Sequence, residues 1–506
     1  MKRIASTVAL TLAAAAGAGS AAAPPALAGA LPAAPGVTGI SAPGPATRAP
    51  QLVRAPTRGE PQAPAVPGAQ LWVRRYNGPG NNLGNDDVAR SVAVSPDGTT
   101  VYVTGYSQGT ISDEYATIAY NTATGARLWV SRYNDPSNYG AEANSVAVSP
   151  DGDTVFVTGS DNAASNGEDY VTVAYNAATG AQLWVSRYDG AAHGNDYASE
   201  VAVSPGGSTV YVTGWSIGTS SIYYYDWATV AYNPATGAQL WVRRSSSAYG
   251  TSGASALAVS PGGGTVFVTG FRHGATSDDD YVTIAYNAAT GATQWVRRYN
   301  GPGNSVDQAY AVAVSPGGGT VYITGASIGS AGAWDDATIA YSAATGATRW
   351  LRRYSSSYGT SQGHALAVSP GGGTVYVTGF SVGGASEEDY RTVAYNAVTG
   401  ARRWARRYNG PGNGTDEASS VAVSPGGTTV YVTGYSPGAT SGDDYATVAY
   451  NAATGATRWV QRYGSGGGAS QASAVAVSPT TGTVFITGYS TSLTSGEDYL
   501  TIAYSG

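Results

Sequence analysis

The chain has 506 residues, of which 42% are apolar and 11% charged, with a formal net charge of −6. That apolar content allows a large buried core, and an acidic balance repels phosphate backbones and argues against nucleic acid as a partner. The chain has no cysteine, which excludes disulfides, thiolate metal sites and a lipid-anchored cysteine.

Residues 1–28 read as a secretory signal. Lys2 and Arg3 supply the positive start, Val8 to Ala16 the short apolar stretch, and Ala26-Leu27-Ala28 a small-residue cleavage site. The expected location is therefore extracellular. A domain of this size needs no disulfides for export. No later apolar run is long enough to span a bilayer, so no membrane span is expected. Residues 29–69 are rich in Ala, Pro and Gly and read as a disordered linker. Residues 1–69 carry five cations against Glu60, which leaves a net charge of −10 on residues 70–506.

From Gln70 onward one unit of about 55 residues recurs eight times. Its tryptophans are Trp72, Trp129, Trp184, Trp241, Trp295, Trp350, Trp404 and Trp459, spaced 54 to 57 residues apart. The first full unit shows how each copy folds. Ser91 to Ser95 alternates and stops at Pro96-Asp97-Gly98, and Thr100 to Thr104 is a second strand. A loop from Gly105 to Asp113 leads to a third strand, Tyr115 to Tyr120. A tight turn over 121–125 precedes the fourth, Leu128 to Arg132. Four short strands per repeat predict an all-β, eight-bladed β-propeller with four-stranded blades over 70–506. The isolated fourth strand at Leu71 to Tyr76 complements a last unit that stops at its third, Leu500 to Tyr504. The N-terminal strand is thus expected to close the ring.

The segment Ala119-Tyr-Asn-Thr-Ala-Thr-Gly-Ala-Arg-Leu-Trp129, repeated at Ala174 to Trp184 and Ala449 to Trp459, resembles the tryptophan docking motif of quinoprotein-like (PQQ-type) propellers. Asn121 and its counterparts stand where that motif usually has Asp. The resemblance implies that the eight tryptophans dock between neighbouring blades. It also admits pyrroloquinoline quinone (PQQ) and calcium as cofactors, although the vicinal cysteine pair frequent in catalytic quinoproteins is missing.

Positions kept in all eight units read as architecture. An arginine follows each tryptophan by three residues (Arg75 to Arg462), and an acid precedes each third-strand threonine by three (Glu114 to Asp498). Within a hairpin folded around the Thr-Gly turn, the two are expected to pair as one cross-strand ion pair per blade, with an acidic metal ring as the alternative. A second acid set, Asp87, Asp196, Asp307 and Asp416, occupies alternate fourth-to-first-strand loops. These four are candidate calcium ligands, or caps for the Asn-Gly-Pro-Gly-Asn turns beside them.

Irregular positions carry the ligand candidates. Trp215, Tyr223, Tyr224, Tyr225 and Trp227 cluster in the loop of the third blade, and Trp334 lies in the fifth. His364 sits at the start of a first strand, where other blades have Arg90, Asn144 or Tyr310. Aromatics there suit stacking on a sugar or anchoring a protein. No Ser/His/Asp order, zinc spacing or phosphate loop is present. The function read from the sequence is a monomeric, secreted, non-catalytic binding or scaffold module for a protein or glycan ligand. A quinone- and calcium-dependent oxidoreductase is the alternative, and a lyase or glycosidase the third.

Overall fold

Val101-Tyr-Val103 and Thr117-Ile-Ala-Tyr120 are continuous buried runs, whereas Arg127-Leu-Trp-Val130 exposes all but its tryptophan and the half-buried Val130. The difference follows from position: middle strands are covered on both faces, and the fourth strand is an outer edge. The computed structural model describes residues 66–506 except 81–85, 136–138, 164–166, 219–220, 385–386, 440–441, 467 and 493. The proposed signal and residues 29–65 of the proposed linker lie outside the described residues.

The described residues form eight four-stranded antiparallel sheets. Blade 1 runs Asp87–Val94, Thr100–Gln108, Asp113–Asn121 and Arg127–Tyr133. Blades 2 to 7 repeat it in chain order. The eight first strands touch one another in sequence, and the last (Ser470–Val477) meets the first (Asp87–Val94), so they line the ring's inner wall. The core is divided into eight apolar clusters, one at each blade-to-blade junction.

Ring closure is as expected. Gln70–Tyr76 pairs antiparallel with Gly496–Tyr504 in blade 8, from Gln70↔Tyr504 to Tyr76↔Tyr499. The closure reaches further back than Gln70. In ordinary blades the indole stacks on the turn glycine of the next blade; a Cβ on Gly125 would sit 2.6 Å from Trp72. For Trp459 the corresponding glycine is Gly68, at φ +82, whose amide bonds Ser505 O at 2.9 Å. Val66–Ala69, assigned by composition to the linker, therefore rebuilds the missing turn of blade 8.

Two local expectations are corrected. The Thr-Gly motif is not a turn. Gly105 lies within the second strand, opposite a β-bulge between Ala89 and Ser91, and a Cβ there would collide with the Val88 carbonyl oxygen. All eight first strands carry this bulge, at Arg90, Asn144, Ser199, Ser255, Tyr310, His364, Ser419 and Ser473. The expected loop from Gly105 to Asp113 is correspondingly short, because the hairpin continues to Gln108 and resumes at Asp113.

Candidate functional site

Each repeat tryptophan is spent on architecture. Trp129 Nε1 donates to Ala177 O of the next blade at 2.9 Å, and six others donate to equivalent turn carbonyls. The acid–arginine pairs form in seven blades, for example Arg132–Glu114 at 2.5 Å, Arg462–Asp444 at 2.9 Å and Arg75–Asp498 at 3.0 Å across the closure. The pairing is as expected, and its acid side is largely buried. The seven acids' side chains are 2–15% exposed, and several of the arginines also hold a tyrosine hydroxyl of the preceding blade, as in Arg132–Tyr76 at 2.7 Å. Blade 2 is the exception: Arg187 turns to Asp135 and Asp161, leaving Asp169 without it.

The second acid set caps the neighbouring turns, as one of its two readings expected, but from strand starts rather than from within the loops. Asp87, Asp196 and Asp307 begin first strands, Asp416 immediately precedes one, and all four are buried. Each accepts a loop glycine amide (Gly78, Gly190, Gly301 or Gly410) through one carboxylate oxygen. They stand in separate, alternate blades rather than as one cluster.

The aromatic set divides. Trp227 is not on a loop: it is fully buried in the third strand of blade 3, Ser221–Tyr232. It occupies the position of the interblade tyrosines. Tyr115 and Tyr281 there donate to the next blade's Val171 O and Ala337 O, and Trp227 Nε1 donates to Phe271 O at 2.8 Å. Trp215 and Tyr225 are half-buried and meet edge-on at 6.0 Å, with Trp215 also against Phe271. Tyr224 is 43% exposed. The side chain of Tyr223 lies outside the described residues. Trp334 is half-buried at the start of a third strand.

His364 is a bulge residue facing the ring's inner wall, buried between Tyr310, Phe380 and Glu417, whose carboxylate lies 3.2 Å from Nδ1. Burial holds its imidazole below its usual pKa, against the opposing charge of Glu417.

This inner wall gathers charge that the sequence reading passed over. Arg90 bonds Asn144 Oδ1 at 2.5 Å and Glu142 at 2.8 Å, and Asn144 passes the contact to Ala198 O. Around Arg90 stand Asp86, Asp113 and Glu142, and the backbone of Asp86 forms a parallel β-bridge with Glu497 of blade 8. Across the ring Glu388 faces Glu417, which accepts the Tyr435 hydroxyl at 2.6 Å. Asp279 and Asp443 start third strands and accept Gln308 and Gln471 of the following blades. Burial, then the charges of Glu142 and Asp86, pushes the Asp113 carboxyl up to about 6; burial, then Glu417 and Glu387, pushes Glu388 up to about 7. A cleft of about 250 Å³ opens between Asp113, Tyr139, Glu142 and Glu168. The signal was present in the sequence as the acid opening most third strands (Asp113, Glu168, Asp279, Glu388, Asp443, Glu497), but it was masked by the architectural acid one residue later.

Fold and repeat define a PQQ-type eight-bladed propeller. The chain belongs to the family described as outer membrane protein assembly factor BamB, whose model matches residues 167–333 and 335–497. Among solved structures it is similar to Chaetomium thermophilum Sqt1 bound to the N-terminus of ribosomal protein L10, with 12% identity, a TM-score of 0.54, and coverage of 84% of this chain and 100% of that one. Quinohemoprotein alcohol dehydrogenase from Comamonas testosteroni gives 14% identity, a TM-score of 0.53, and coverage of 86% and 76%. BamB from Moraxella catarrhalis gives 17%, 0.46, and 86% and 99%. No curated protein matches by sequence. Among the described residues no helix is long and apolar enough to cross a membrane.

Proposed function

We propose that this chain is an exported, non-catalytic binding propeller whose acidic inner mouth takes a Lys/Arg-rich polypeptide segment. The observation that carries the reading is the carboxylate set at that mouth. Asp113, Glu142, Glu388 and Glu417 are half-buried, and burial followed by the neighbouring charge raises the pKa of Asp113 beside Glu142 and of Glu388 beside Glu417, so the mouth is short of compensating cations. A cationic segment entering there relieves like-charge repulsion and gains charge-assisted hydrogen bonds. A chain terminus bound by a protein of similar fold has a precedent in Sqt1 bound to the N-terminus of ribosomal protein L10.

The same residues do not suit a quinone cofactor. Pyrroloquinoline quinone is a tricarboxylate and needs cations and an aromatic floor. The mouth offers carboxylates around Arg90, seven repeat indoles are bonded between blades, and Trp215 packs edge-on against Tyr225 and Phe271. The export half of the reading rests on Lys2, Arg3 and the apolar stretch after them, and N-terminal sequencing of secreted protein tests it.

The binding test uses fluorescence anisotropy with a labelled Arg/Lys-rich peptide, and with acidic and neutral peptides of equal length. The basic peptide is expected to bind, and Glu142→Gln/Glu388→Gln/Glu417→Gln to weaken it roughly tenfold or more. Equal binding of all three peptides, or an unchanged affinity in the triple variant, overturns the reading.

A further inference from the structure

The eight repeats act as internal controls for one another, and one junction departs from its sisters in two ways at once. At the junctions after blades 4, 6 and 8 the third-strand acid is held by its arginine: Asp280 by Arg298, Asp389 by Arg407, Asp498 by Arg75. The loop that follows carries an asparagine, Asn300, Asn409 or Asn77, and then the buried aspartate that caps a glycine amide.

After blade 2 the pattern changes. The serine that elsewhere faces the arginine from the second strand (Ser107, Ser327 and Ser436, for example) is Asp161, and it captures Arg187. Asp169 is left 5% exposed, and among the described residues its buried Oδ1 has no hydrogen-bond partner. Asp280 and Asp498 share that bare Oδ1 but keep an arginine on Oδ2, as does Asp389; Asp169 lacks that arginine. The loop asparagine is Asp189, whose Oδ1 is likewise buried and unpartnered while Oδ2 meets His193 Nδ1 at 2.6 Å. The loop keeps its shape: His193 has φ 48, and the corresponding Asn304 and Asn413 have φ 47 and 50. Asp196 completes the group, with Oδ2 on the Gly190 amide. Ligand oxygens of Asp169, Asp189 and Asp196 lie within 4.8 Å of one another.

We infer that Asp169, Asp189 and Asp196 form a calcium site between blades 2 and 3. Three converging carboxylates, one of them buried and stripped of its repeat arginine, need a cation. Hard oxygen donors with room for water and backbone carbonyls suit calcium, which takes 6–8 oxygens at about 2.3–2.6 Å, better than magnesium, which demands strict octahedral geometry. The alternative occupant is a proton on Asp169, and it predicts no calcium response.

The sisters supply variants that should fold. Asp189→Asn restores their loop residue, and Asp161→Ser should return Arg187 to Asp169. EDTA-stripped full-length protein is titrated with calcium chloride by isothermal calorimetry, and its melting temperature is followed alongside. Wild type is expected to bind a single calcium and melt at higher temperature with it, with magnesium giving a smaller shift. Each variant is expected to keep its calcium-free melting transition and lose affinity by roughly tenfold or more. Asp307→Asn, at a sister junction, should leave calcium binding unchanged. No heat and no shift in wild type, equal binding by D161S and D189N, or an equal magnesium response overturns the assignment.

Discussion

Single residues that break the repeat show what each position needs. The interblade tyrosine of blade 5 is Asp336, and the small residue it would touch in blade 6 is Arg391; both are fully buried and lie 2.7 Å apart. A tyrosine–alanine contact has been exchanged for an ion pair of similar volume, with Thr324 on the carboxylate at 2.8 Å and the guanidinium over Tyr354 at 4.7 Å. Removing one partner strands a buried charge, so Arg391→Ala is expected to cost about 3–5 kcal/mol by urea denaturation, whereas Asp336→Tyr/Arg391→Ala, which restores the repeat, should recover most of it. Glu200 is a second break. It holds the place of Ser91 and Ser145, whose hydroxyls accept an amide of the next blade, and its carboxylate accepts Leu257 N–H at 2.7 Å. Burial pushes its pKa up to about 8 from 4.5. The folded state then holds a proton the unfolded chain has lost, so stability falls as pH rises between about 4.5 and 8, by up to about 1.4 kcal/mol per pH unit. Glu200→Gln keeps the acceptor and should flatten that slope in melts across the window. An unchanged slope would show that the carboxyl is ionised in the fold.

At the scale of elements, the closing strand and its turn carry a clear test. Gly68→Ala is expected to destabilise by about 1–2 kcal/mol, because φ +82 is strained for alanine and its Cβ would meet the Trp459 ring at 2.8 Å. Deleting residues 66–76 should lower the melting temperature further by opening the edge of Gly496–Tyr504. A melting curve identical to wild type in both would mean that closure contributes nothing. The orphan strand Gln70–Tyr76 was legible because its Trp72 and Arg75 keep the repeat spacing, whereas Gly68 was not, since an isolated glycine in an Ala/Pro-rich stretch carries no pattern. Strand number and order were legible from periodicity alone. The bulge opposite Gly105 was not, because a two-residue period cannot show where one residue is inserted, and the Thr-Gly pair reads as a turn. For the same reason Trp227 looked like part of a loop: its run of aromatics hides that it stands four residues before the third strand's Ala-Tyr, where Tyr115 stands in blade 1. Ion pairing survived these errors, since an 18-residue separation brings Glu114 and Arg132 to one face in either geometry.

For the whole molecule, charge is sorted by radius. Arginines concentrate on the outer fourth strands, where Arg243, Arg297, Arg352 and Arg406 bind turn carbonyls of the next blade, while Asp113, Glu142, Glu388 and Glu417 collect at the inner mouth. Such a field draws a basic segment toward the ring's axis and repels it least at the centre. Its pH dependence has a definite sign. Asp113 and Glu388, with pKa values near 6 and 7, hold protons on the acid side, and a bound guanidinium or ammonium favours their ionised forms. Binding therefore releases protons below about pH 7, and affinity for a basic peptide should rise from pH 5 to pH 8, the direction opposite to the Glu200 effect on stability. Calorimetry in two buffers of different ionisation enthalpy measures that release directly. Salt supplies an independent arm: raising ionic strength from 0.01 to 0.15 M shortens the screening length from about 30 to about 8 Å and should slow association more than it speeds dissociation. Affinity that is flat in pH and salt, or stronger at pH 5, would show that the mouth does not recognise its ligand through charge, and the exposed Tyr224 and half-buried Trp215 would then be the better place to look for it.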